Sequence, residues 1–94
     1  MLSKTPIDLG KMGKEMLDME ILRVAIIAEL DAINLYEELS AQTKDEGIKK
    51  VLLDIAREEK THAGEFQTLL LRLDKEQVEE LDKARKEVEE LTDK

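Results

Sequence analysis

Cysteine and tryptophan are absent from this 94-residue chain, and Phe, Tyr, His and Pro occur once each. Without cysteine there is no disulfide framework and no thiolate metal site. With a single Phe and a single Tyr, the core has to be built from Leu, Ile, Val, Ala and Met. Basic residues are outnumbered, 15 Lys and Arg against 23 Asp and Glu, for a net charge of −8. That balance makes nucleic acid and anionic membrane poor partners and metal cations good ones. No apolar run approaches the ~20 residues a membrane span needs. The stretch Met1–Gly10 lacks the apolar segment of a signal peptide, so a cytoplasmic location is expected.

What the chain does have is charge at helical spacing. Charged residues make up 40% of it, and Gly and Pro are scarce after Gly13, which is the composition of long helices. One small all-α domain, 1–94, is expected: a flexible segment at 1–17, then helices over 18–42, 45–72 and 74–91. Asp18 is placed to cap the first helix, and Thr43 with Glu46 three places later reads as a capping box opening the second. Asp74, with Gln77 three later, starts the third. A break of a few residues makes the first two helices antiparallel neighbours. The third carries a narrow stripe of Val78, Leu81, Ala84, Val88 and Leu91 in a charged sequence, marginal alone in water and expected to dock on another subunit. A thin aliphatic core in so short a chain also argues for oligomerisation.

The second helix presents Leu52, Ile55, Glu59, His62, Phe66, Leu69 and Leu73 at alternating spacings of 3 and 4, the seam of a helix in a bundle. A carboxylate and the only histidine occupy seam positions where Leu is usual. Buried polar groups are costly unless paired or bound to a metal. Glu-x-x-His alone is a weak motif, and a surface histidine on a Glu-rich helix is the ordinary reading; the seam position argues against it. Glu29 repeats the anomaly on the first helix, beside Ala25, Ile26 and Ile33. Folding the hairpin about the link brings Glu29 level with Glu59 and His62. One chain then holds half of the di-iron carboxylate pattern of a four-helix bundle, and a two-fold dimer of hairpins completes it. Carboxylate oxygens with imidazole suit iron or manganese, with zinc a substitute. Tyr36, two turns from Glu29, is read either as a core aromatic or as a donor beside the centre, and Asp31 either as a solvated charge or as an outer waiting point for cations.

The residues Glu29, Tyr36, Glu59 and His62, in the stretches Ala28-Glu29-Leu30-Asp31-Ala32-Ile33 and Arg57-Glu58-Glu59-Lys60-Thr61-His62-Ala63, resemble those of the encapsulated ferritins. The resemblance spans roughly Asp18 to Leu73. It implies a ferritin-like half-bundle that oxidises Fe(II) to Fe(III), with O2 as acceptor, at a di-iron centre shared by two chains. It implies five such pairs in a homodecameric ring, working as cargo inside an encapsulin nanocompartment that stores the ferric mineral. It assigns Glu29 to bridge the irons, Glu59 and His62 to cap them, and Tyr36 to stand alongside. The family's outer acidic entry position is filled here by Ala28 next to Asp31, and the aromatic often found before the tyrosine is Leu35. No targeting peptide follows Leu91 in this sequence, so a trimmed peptide or a fusion to the shell protein is the expectation. The alternatives are a rubrerythrin-like peroxide reductase, against which the lack of cysteine counts, a metal-stapled helical oligomer without turnover, and an acidic oligomerisation module in which the Glu and His are structural.

Overall fold

The computed structural model describes residues 13–94. They form three helices, α1 (Lys14–Gln42), α2 (Glu46–Leu73) and α3 (Lys75–Thr92), and no strand. None of these helices is long and apolar enough to cross a membrane.

The first helix begins earlier than its sequence predicts. Residues 14–17 are helical rather than part of a flexible segment, and Asp18 lies inside α1 rather than at its cap; residues 1–12 lie outside the described set. The cap is Gly13, in extended conformation and with no side chain to offer, while the Leu17 amide donates to the Gly13 carbonyl at 3.0 Å. Lys14-Glu15-Met16-Leu17 are all good helix formers, so the helix propagates back until it meets glycine, a poor one.

The link at residues 43–45 also differs from expectation in its cap. Asp45, not Thr43, is the N-cap of α2, its Oδ1 accepting from the Ile48 amide at 2.9 Å. Thr43 instead uses Oγ1 to accept from the Asp45 amide at 3.2 Å, and its own amide closes α1 by donating to Leu39 at 3.3 Å. The second and third helices otherwise lie one residue later than expected at each end, because Asp45 and Asp74 are caps rather than helical residues. Asp74 closes α2 and caps α3, where its Oδ1 accepts from the Gln77 amide at 3.0 Å.

Within the antiparallel hairpin, the buried hydrophobics among the described residues are Ile33, Ala56 and Leu70. Ala56, Ala63 and Leu70 recur every seven residues, and this line faces α1; the small alanines let the helices approach closely. The seam expected on α2 lies beside it. Leu52, Ile55, Glu59, Phe66 and Leu73 are half-buried and Leu69 is 45% exposed. A bundle helix faces two neighbours, and a lone hairpin supplies one. The other flank of the stripe is therefore left open, with Ile27 and Leu30 of α1 exposed too.

Candidate metal centre

Glu29 comes from the middle of α1 and Glu59 and His62 from the middle of α2, 3 residues apart on one face. The short link sets the two helices in antiparallel register, so the three side chains come level. One ligand atom from each lies within 4.8 Å of the others. Among the described residues this is the one group of three or more His, Asp or Glu side chains that converges in this way.

The electrostatics of the cluster are unbalanced. Glu29 and Glu59 side chains are each only 19% exposed, while His62, at 46%, sits at the open edge. His62 Nδ1 is 3.6 Å from Glu29 Oε2 and 3.6 Å from Glu59 Oε2, beyond hydrogen-bond reach of both. Among the described residues, Glu29 Oε2 is buried with no hydrogen-bond partner. The ion pairs closest in sequence lie on exposed side chains: Lys60 pairs with Glu37 at 3.4 Å, and Arg57 with Asp54. An acceptor-only carboxylate oxygen, desolvated and unpaired, costs about 1–3 kcal/mol. A cation between the carboxylates removes that cost. The donor set, carboxylate oxygens plus one imidazole nitrogen and no sulfur, fits iron, manganese or zinc.

The remaining predicted residues do not join the cluster. Asp31 is exposed and outside the converging group, and Ala28 beside it is exposed as well. Tyr36 is half-buried on α1, and Glu58 and Glu65 face outward. The sequence offers no Lys or Arg at a seam position opposite Glu29, and among the described residues Glu29 Oε2 has no hydrogen-bond partner.

With the geometry established, the relatives of this chain become informative. The Rubrerythrin family profile matches residues 20–93. A ferritin-like–encapsulin shell fusion protein of Pyrococcus furiosus is 65% identical over 74 residues, 79% of this chain and 21% of that protein. The encapsulin nanocompartment cargo protein EncC of Myxococcus xanthus is 43% identical over 67 residues, 68% of this chain and 52% of that protein. The chain thus spans about a fifth and about half of the length of these two curated relatives. Among solved structures, the crystal structure of an encapsulated ferritin domain from Pyrococcus furiosus superposes with a TM-score of 0.85 at 54% identity, covering 100% of this chain and 96% of that one.

Proposed function

This chain belongs to the Rubrerythrin family and, within it, to the encapsulated ferritin domains; from that premise we propose that two copies of it build a di-iron centre that oxidises Fe(II) to Fe(III). The observation that carries the reading is the partnerless Glu29 Oε2, held with Glu59 and His62 in a group whose ligand atoms lie within 4.8 Å. One chain offers two carboxylates and one imidazole, too few to enclose two metal ions. The half-exposed His62 and the open flank of the α2 stripe leave room for a second hairpin to supply the same three groups. Four carboxylates then balance two divalent ions, which makes the buried charge tolerable.

In this scheme Fe(II) is the substrate: each ion gives up one electron, and O2 is the acceptor. The residues of the chain hold the ions and set their charge. Glu29, whose Oε2 has no hydrogen-bond partner among the described residues, would be the carboxylate shared between the ions. Glu59 and His62, one turn apart on α2, would hold an ion together with Glu29. Tyr36 is assigned a place beside the centre as a donor, and Asp31 is the one acidic residue of an outer entry position that Ala28 leaves incomplete. We extend the reading to an encapsulin shell, with which these relatives are associated, and to a ring of paired chains. The domain would work as encapsulin cargo or as the ferritin-like part of a shell fusion, in a ring built from pairs, with the shell storing the ferric product.

A second reading keeps the centre and changes the acceptor. The Rubrerythrin profile match favours a peroxide reductase, although this sequence has no cysteine to hold an electron-delivering iron. Anaerobic loading with Fe(II) followed by a pulse of either O2 or H2O2 separates the two. Oxidation at least as fast with O2 supports the ferroxidase; oxidation by peroxide alone supports the reductase; no oxidation by either leaves a metal staple and ends both.

A further inference from the structure

The bend between α2 and α3 is carried by one residue. The second helix ends at Leu73 and the third begins at Lys75, so Asp74 alone, at φ −102° and ψ 87°, turns the chain. Every polar group of Asp74 is used. Its amide donates to the Leu70 carbonyl at 2.8 Å, and its carbonyl accepts from the Val78 amide at 3.3 Å. Its Oδ1 accepts from the Gln77 amide at 3.0 Å, and its Oδ2 accepts from Arg23 Nη2 of α1 at 2.7 Å. The Asp74 side chain is 12% exposed, so the last of these is an ion pair with one desolvated partner.

Little else holds α3 in place. None of its residues is buried, and a hollow of about 150 Å³ remains between Ile26, Leu70, Leu71 and Leu81, where α3 leaves the hairpin. The described chain measures 48 × 43 × 20 Å with a radius of gyration of 16.9 Å. A compact chain of this length has roughly 12 Å. The third helix is thus an arm, and its direction decides where Val78, Val88 and Leu91, all exposed, are presented.

We propose that the Arg23–Asp74 pair is an ionic latch that fixes the direction of α3 relative to the hairpin. The hydrogen bonds of Asp74 to Leu70, Gln77 and Val78 join α3 only to the end of α2 and are compatible with a range of torsions at the junction. Arg23 adds the contact from α1, and with it a third fixed point. The latch is independent of metal chemistry and stands whether or not the centre oxidises iron.

The test uses the absence of cysteine. Spin labels on Glu38→Cys in α1 and Glu90→Cys in α3 report the arm direction by pulsed electron–electron distance measurement. Labelled chains are mixed into an excess of unlabelled protein so that distances between chains drop out. The parent distribution is expected to be a single narrow peak. Arg23→Gln removes the cation. Asp74→Asn keeps the helix cap, for which Asn serves as well as Asp, but sets an amide donor against the Arg23 donor. Both are expected to lose the narrow peak while circular dichroism shows unchanged helix. A peak as narrow as the parent's in Asp74→Asn overturns the latch, as does a broad distribution in the parent. Asp74→Asn decides the matter even where Arg23→Gln loses helix.

Discussion

At Glu29 the demands of folding and of function oppose one another. Its Oε2 is buried with nothing to accept from, and the nearest imidazole nitrogen is 3.6 Å away. In metal-free protein this is a standing cost, so Glu29→Gln, whose amide can donate toward Glu59, is expected to raise metal-free stability by about 1 kcal/mol. Chemical denaturation under chelator measures it; a destabilised variant would contradict the account. The same substitution is expected to slow Fe(II) oxidation by more than the ~10–100-fold typical of losing a group that only supports a metal ligand. Tyr36→Phe is expected to lose less, and His62→Ala to lower iron occupancy, read by elemental analysis. Glu29, Glu59 and His62 were legible in the sequence because carboxylates and a histidine interrupt apolar seams at positions about equally far from a short link. The 46% exposure of His62 was not legible, since seam spacing does not show which flank of α2 a lone hairpin leaves uncovered.

At the scale of elements, the caps show where local pattern is ambiguous. Thr43 with Glu46 and Asp45 with Ile48 both fit an opening helix, and the structure selects Asp45, leaving Thr43 to accept from the Asp45 amide. Asp45→Ala is therefore expected to cost about 1 kcal/mol, and Thr43→Ala less, in thermal or urea unfolding; the reverse order would return the cap to Thr43. The early start of α1 is not legible in the sequence, because its cap is a glycine without a side-chain signal. The Arg23–Asp74 pair is not legible for another reason: its partners lie 51 residues apart, and an isolated charge pair leaves no periodicity. The Gln77 amide, and after it the Arg23 side chain, hold the Asp74 carboxyl below the usual carboxylate range. A lowered folded pKa stabilises above the unfolded pKa and is lost as pH falls through the folded value. Release of the α3 arm is expected only below the range where ordinary carboxylates titrate, and distance distributions recorded against pH would show it. The charged group facing Asp74 is Arg23 on α1.

The whole molecule is extended and thinly cored. Among the described residues three hydrophobics are buried, while Ile27, Leu30, Val51 and Leu69 stay more than 40% exposed. So little burial rarely sustains a small domain on its own. The melting temperature of the metal-free protein is expected to rise with protein concentration, as mass action requires when a second copy stabilises the fold; a concentration-independent value would mark a self-sufficient monomer. The helical class, the hairpin and the third helix were legible from spacing and link length. The seven-residue line of Ala56, Ala63 and Leu70 was not, because apolar residues fill both flanks of the α2 stripe and the sequence does not tell which flank meets α1. The central claim is that two chains share one di-iron centre, and native mass spectrometry tests it most directly, first on metal-free protein and then after anaerobic Fe(II). The account predicts an even-numbered oligomer that takes up about one iron per chain, as half of a two-metal site requires. A species of any size that binds no iron would contradict it.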